Sequence, residues 1–354
     1  MIKVGSDFSG VGAFNQALIR LGKPYKEVFA CDMDKYARQT FIENYGEPEY
    51  FPTNVYNREI PTQSLDIYMT SPPCQAFSLA GKRLGKEDKR GILFFNSHEF
   101  IQVNKPRFFI FENVKGLLSD NGGKTFSEWV AILGGKSVNG NAILFPYEDS
   151  VPYHLYWQVL NAKEHGVPQN RERVFLIGIR DDKDNKFQFP KEEHLVKRLK
   201  DVLENNVLDK YFLSEKMLVH LNKHNRSVPF INENTINVRT ITSNYSKQSS
   251  DLEYLKVGDH RSDEGFRWRQ DGNSPCLTAS MRDCKEWNEK VGTRSSPLIQ
   301  ENFKIRRLTP RECFRLMDFP DSFTWPVSDS QAYKQAGNSI VVNVLMKIIN
   351  NLNL

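Results

Sequence analysis

The chain has 354 residues, enough for one large domain or two, and its 39% hydrophobic and 26% charged content is that of an ordinary globular protein. A net charge of +5, from 48 basic against 43 acidic residues, permits an anionic partner without requiring one. Five cysteines (Cys31, Cys74, Cys276, Cys284, Cys313) form no CxxC pair, which excludes a disulfide framework and points to reduced thiols with no metal. No signal-peptide hydrophobic region follows Met1, and no apolar run approaches the ~18 residues of a membrane span, so a cytoplasmic protein without a membrane partner is expected.

Up to about residue 180, strand-like and helix-like segments alternate, as in a largely parallel sheet covered by helices. Strands are predicted at 3–6, 27–31, 65–70, 108–112 and 174–180. Helices are predicted at 13–21, at 34–44 with Asp34 as its cap, and at 94–104, where Lys105-Pro106 is a stop signal. The Gly/Asn/Ser-rich stretch 118–152 reads as a surface insertion, and 181–186 as a charged linker. From there to about 309 periodicity is weak, and it returns as an amphipathic segment over 333–354.

Chemistry-bearing residues cluster at the predicted strand ends. Asp7-Phe8-Ser9-Gly10-Val11-Gly12 follows the first strand, and its glycines allow a tight turn and close ligand approach, although a purely structural turn is about as well supported. Asp32 lies 22 residues beyond Gly10, close to the roughly 20-residue offset at which an acid meets a ribose hydroxyl. With two of three fingerprint glycines, a pyrophosphate is not demanded. S-adenosylmethionine fits as well or better, and Met33 could cover one face of its adenine.

Cys74 stands in Ser71-Pro72-Pro73-Cys74-Gln75, where prolines end a strand and present a thiol at its C-terminal end. Alone it reads more readily as a small buried Cys. Glu112 ends another strand, and Arg171 and Arg173 precede a third, where alternation puts both on one face. Taken singly, each also reads as a solvated surface charge.

Taken in order, Asp7–Phe14, Cys31–Asp34, Ser71–Ser78, Glu112-Asn113-Val114, Gln169–Arg173, Arg307–Pro320 and Gln335–Val342 resemble the motifs of the cytosine-C5 DNA methyltransferases of bacterial restriction–modification systems. The resemblance covers about two-thirds of the chain. It implies an α/β fold, with a Rossmann-like S-adenosylmethionine-dependent methyltransferase sheet and a smaller, irregular target-recognition domain. The implied division is 1–181 for the first part of the catalytic domain, 182–302 for target recognition, 303–328 for a hinge, and 329–354 for a C-terminal helix returning to the catalytic domain.

The resemblance also implies that Cys74 is a nucleophile toward carbon 6 of a flipped cytosine. Glu112 and Asn113 would then stabilise and orient the base, Arg173 would hold its O2, and Arg171 would steady developing charge. Phe8, Gly10, Val11, Gly12, Asp32, Met33, Asn54, Pro73, Leu93, Asn338 and Ser339 are the implied cofactor contacts. Met33 and Asn54 depart from the aromatic and Asp that many relatives carry, which implies altered affinity.

The glycine-bearing, basic stretch 78–91 is expected to clamp DNA. Base-reading candidates lie at Lys223–Arg226, Arg239–Thr242, Arg267–Gln270 and Arg282. Implied partners are double-stranded DNA and, functionally, a cognate restriction endonuclease, with the chain a monomer. Two other readings stay open: a transfer-RNA cytosine-C5 methyltransferase of the same fold, and an inactive DNA-binding relative.

Overall fold

Apolar strands and capped helices alternate from the first residues onward: β1 (Ile2–Asp7), α1 (Ala13–Arg20), β2 (Tyr25–Cys31), α2 (Lys35–Tyr45), β3 (Ile67–Thr70), α3 (Ile92–Asn104) and β4 (Phe108–Val114). The computed structural model of the protein describes residues 1–72, 92–180, 182, 186–214, 230–231, 235–243, 254–258 and 303–354. Pro73, Cys74, the 78–91 loop, and the candidate cations at 223–226, 267–270 and 282 lie outside the described residues. Asp34 caps α2 as expected, its Oδ1 accepting from the N–H groups of Tyr36 (2.9 Å) and Ala37 (3.3 Å).

The chain continues through α4 (Lys124–Leu133), β5 (Ser137–Val138), β6 (Asn141–Ala142), β7 (Tyr153–Asn161), β8 (Gln169–Asn170) and β9 (Glu172–Arg180). The main sheet runs β2-β1-β3-β4-β9-β7-β5-β6. Its first four strands are parallel, but β9 is antiparallel to both β4 and β7, so the sheet is mixed rather than largely parallel. The link from β7 to β9 is too short for a packed crossover helix, and a short link joins antiparallel neighbours. That reversal has a functional consequence: the start of β9 lies beside the end of β4, with Arg173 opposite Val114.

Alternation divides the strands between two apolar layers. Phe108 and Ile110 join Val4, Ile67 and Met69 under α1, whereas Phe109 and Phe111 join Phe29, Tyr68, Phe94 and Phe100 on the opposite face. Each fully buried large side chain contributes roughly 1.5–3 kcal/mol relative to exposure.

Residues 118–152 are not a surface insertion. Helix α4 buries Phe126, Trp129 and Leu133, and Trp129 stacks on Phe94 with ring centroids 4.2 Å apart. The glycines that suggested a loop mark helix ends: Gly123 is the N-cap at φ 85°, and Gly134 the C-cap. The long continuously exposed run is 139–149, which contains Leu144 and Phe145.

Beyond β9 lie β10 (Phe230–Ile231), β11 (Val238–Arg239), β12 (Tyr254–Gly258), β13 (Phe303–Arg306), α5 (Pro310–Leu316), α6 (Asp329–Asn338) and α7 (Val342–Asn350). Strands β10, β12 and β13 form a small sheet, and β11 pairs with β8. The Arg239–Thr242 candidates therefore sit beside β8, with the Thr240 hydroxyl donating to the Asn170 carbonyl at 2.8 Å. A capping box between Thr309 and Glu312 starts α5. The C-terminal segment holds two helices rather than one, and α7 packs its Val344, Leu345 and Ile348 into the layer beneath α1.

Candidate active site

The C-terminal ends of β1 and β2 build the first half of the site. After Asp7 the backbone turns through the left-handed region at Phe8 (φ 56°), Gly10 (φ 55°) and Gly12 (φ 82°), then enters α1. A Cβ on Gly12 would lie 2.2 Å from the Tyr45 ring, so only glycine fits there. The loop is fastened to the end of β2: Ser9 N–H donates to the Cys31 carbonyl (3.0 Å) and Gly10 N–H to Asp32 Oδ2 (2.8 Å). Asp34 N–H donates to the other Asp32 oxygen at 2.8 Å. Burial raises the Asp32 pKa, and these two N–H groups act against that rise.

The remaining expected cofactor residues surround this edge. Val11 is buried behind the loop, Met33 is 83% exposed beside Asp32, and Leu93 lies half-buried in the first turn of α3. Asn54 Oδ1 accepts from the N–H groups of Tyr56 (3.0 Å) and Asn57 (3.1 Å), so its carbonyl already serves its own turn. Asn338, exposed, and Ser339, buried, end α6. That helix is tied to the start of α2 by Gln335 Nε2 on the Tyr36 carbonyl (2.9 Å) and Lys334 on Asp34 (2.6 Å).

The second half of the site forms where β4 meets β9. Arg173 is opposite Val114, two residues from Glu112 on the same face, and long side chains reach across such a diagonal. Its Nε lies 3.0 Å from Glu112 Oε1, with side-chain exposures of 17% and 9%. Burial raises the Glu112 pKa, and Arg173 and then Arg171 offset only part of that rise. The neighbouring Asn113 donates from Nδ2 to the Pro72 carbonyl at 3.1 Å. It thereby anchors the chain two residues before Cys74.

A family model for the C-5 cytosine-specific DNA methylases matches residues 2–353. The chain belongs to that family. It is 32% identical to the type II methyltransferase M.HhaI of Haemophilus parahaemolyticus, over 98% of this chain and 92% of that protein. It is 31% identical to the orphan methyltransferase M.SPRI of Bacillus phage SPR, over 99% of this chain and 97% of that one. The solved structure of S. pombe Dnmt2 methyltransferase shares the fold at a TM-score of 0.67 and 20% identity, covering 99% of this chain and 98% of that one.

Within this DNA cytosine methyltransferase, Arg171 sits apart from the exposed part of the edge. Its guanidinium donates to the carbonyls of Ile241 (2.9 Å), Gly337 (3.0 Å) and Ser339 (2.8 Å). Two of these end α6, where carbonyls lack helical partners and a cation is favoured. Burial pushes the guanidinium down to about 9, with Arg173 adding to the shift and Glu112 opposing it. Arg171 therefore joins the start of β9, the 238–243 segment and the end of α6.

Sequence reasoning missed Arg58, a lone cation in an irregular loop, and Tyr68. Both bond Asp7, the former through a buried salt bridge of 2.8 Å and the latter at 2.5 Å. The available signal was Asp7 itself, a carboxylate at the end of a strand, which requires a partner once buried. Among the described residues no helix is long and apolar enough to cross a membrane.

Proposed function

We propose that this methylase transfers a methyl group from S-adenosylmethionine to carbon 5 of a flipped cytosine in a specific duplex DNA site, through a covalent Cys74–carbon 6 adduct. The observation that carries the reading is that β4 delivers two adjacent residues to two tasks: Glu112 to Arg173, and Asn113 to the Pro72 carbonyl. Cys74 follows Pro72 by two positions in the sequence, which supports its acting with the Glu112–Arg173 pair in one reaction.

Cytosine carbon 5 is a poor nucleophile until a nucleophile has added to carbon 6. The Cys74 thiolate adds to carbon 6, the carbon 5–carbon 6 double bond opens, and electron density moves to carbon 5. Glu112, whose pKa burial raises despite the two arginines beside it, would donate toward ring N3 and neutralise the charge that the addition pushes onto the ring. Arg173 lies against Glu112 with part of its side chain exposed, and it would hold the base's O2. Once carbon 5 has taken the methyl group, its proton passes to water. The carbon 5–carbon 6 double bond re-forms as the carbon 6–sulfur bond breaks and returns the thiolate, and N3 gives its proton back to Glu112. The target base must leave the stacked duplex to reach this edge.

The residues present fit the cofactor. A Cβ at Gly10 would meet nothing within 4 Å, so the loop backbone is bare for close approach. Asp32 keeps acceptor capacity for ribose hydroxyls beyond its two backbone bonds. When bound, the cofactor supplies an electrophilic sulfonium methyl. Phe8, Gly10, Val11 and Gly12 would line one side of it, Met33 and Asn54 its adenine, and Pro73, Leu93, Asn338 and Ser339 the remaining walls.

The test is methyl transfer from tritiated S-adenosylmethionine by wild type and Cys74→Ser, offered duplex DNA and transfer RNA separately. The expected result is DNA labelling by wild type, and its loss in Cys74→Ser with DNA and cofactor binding retained. Labelling by the Ser variant at near wild-type rate contradicts the covalent route, and labelling of transfer RNA alone contradicts the DNA reading. A cognate endonuclease that the methylated site blocks is the proposed functional partner.

A further inference from the structure

The cofactor reading leaves one buried charge cluster unused. Asp7 and Arg58, with side chains 0% and 2% exposed, form a forked ion pair. Arg58 Nε lies 2.9 Å and 3.0 Å from the two Asp7 oxygens, and Nη2 lies 2.8 Å from Oδ2. Nη2 also donates to the Asn96 carbonyl at 3.0 Å, and the guanidinium carbon stands 4.7 Å from the Phe100 ring centroid. Tyr68 completes the cluster, its hydroxyl donating to Asp7 Oδ2 at 2.5 Å. We propose that Arg58 is the positioning residue that fixes the cofactor-binding loops in register with one another.

The placement of the partners carries this inference. Asp7 immediately precedes Phe8, whose φ of 56° is rare for a residue with a side chain. Arg58 follows Asn54 by four positions in the loop between α2 and β3, Tyr68 lies on β3 two residues before Thr70, and Asn96 lies in α3 three residues after Leu93. One guanidinium thus links the glycine loop, the Asn54 loop and α3 directly, and β3 through the shared carboxylate.

A buried ion pair is a poor stabiliser when compared with well-packed apolar residues. What it supplies is direction, because a planar fork meets a carboxylate and a carbonyl only in a fixed geometry. Burial alone would lower the Arg58 pKa, but the Asp7 carboxylate and its hydrogen bonds hold the guanidinium above its usual range, so the cation is permanent. Lysine at this position keeps the charge and loses the fork.

This inference rests on the S-adenosylmethionine reading of the pocket, and the experiment separates the two. Binding of S-adenosylmethionine and S-adenosylhomocysteine is measured by calorimetry on wild type, Arg58→Lys and Tyr68→Phe, with steady-state kinetics in both substrates and circular dichroism to confirm folding. Wild type that binds neither compound overturns the cofactor reading, and this inference with it. If wild type binds, Arg58→Lys is expected to raise the cofactor Kd and KM about tenfold or more, the scale of one lost charge-assisted hydrogen bond. KM for DNA and kcat at saturating cofactor should stay within about twofold, because the reacting edge at Glu112 is untouched. A folded Arg58→Lys with wild-type cofactor affinity, or one that loses kcat alone, overturns the inference. Should Arg58→Lys fail to fold, Tyr68→Phe decides: it keeps the ion pair and removes one donor from Asp7, and an unchanged cofactor Kd overturns the inference.

Discussion

Two arginine–carboxylate pairs close strand ends of the same sheet, and they differ in what each leaves unsatisfied. Arg58 engages both oxygens of Asp7, Tyr68 adds a third donor, and neither charged side chain has appreciable exposure. Glu112 meets Arg173 at one 3.0 Å contact, and both side chains stay partly open. Burial leaves the Glu112 pKa raised despite two arginines nearby. Glu27 extends the series: Asn15 Nδ2 donates to one of its oxygens at 2.9 Å, the other oxygen is buried without a partner, and burial pushes its pKa up to about 7. Saturation separates the roles. A closed pair fixes a scaffold, whereas an open one keeps donor and acceptor capacity for a substrate.

The comparison breaks most visibly at Glu112. Glu112→Gln should lower kcat by roughly 10²–10⁴-fold with little change in Tm, since it removes a proton donor and only one ion-pair contact. A loss below about tenfold in single-turnover methylation would mean that Glu112 is not the donor. Because its pKa is raised, the protonated form predominates at low pH, and kcat should fall as pH climbs through that value. That basic limb should be missing from the profile of Glu112→Gln.

At the closed pair the same kind of cut should read out in stability. Arg58→Met strands a buried Asp7 carboxylate, which costs about 3–5 kcal/mol in urea unfolding. Arg173→Met should cost less than half as much, because Glu112 takes up a proton more readily. Equal costs would erase the distinction between the pairs.

Glu27→Gln sharpens the third case. With its folded pKa raised, ionisation of Glu27 disfavours the native state as pH rises from about 4.5 to about 7. The variant should match wild type at pH 4 and exceed it above pH 7, by an order-of-magnitude figure of ~3 kcal/mol. A pH-independent difference in urea titrations would contradict this. Tyr68→Phe should have the smallest effect on stability, about 1–2 kcal/mol, as one hydrogen bond to a charged acceptor is lost while the ion pair persists.

Much of this site was legible in the residues. Strand alternation and the Asp34 cap follow from local chemistry, and the structure shows both the two-layer division of the strands and the cap's hydrogen bonds. The antiparallel placement of β9 was not legible, because periodicity carries no strand direction. Yet that reversal is what brings Arg173 to Glu112. Helix α4 was hidden because glycines at both its ends look like loop punctuation in a string of letters. Arg58 was hidden for a different reason: its partner is 51 residues away, and a lone cation in an irregular loop looks solvated until the fold buries it.

The covalent step is the centre of this account, and duplex DNA carrying 5-fluorocytosine at the methylated position tests it most directly. Fluorine cannot leave carbon 5 as a cation, so the account predicts a denaturation-resistant, cofactor-dependent adduct that peptide mass spectrometry maps to Cys74. Full methylation of unmodified DNA with no adduct on the fluorinated duplex would contradict it.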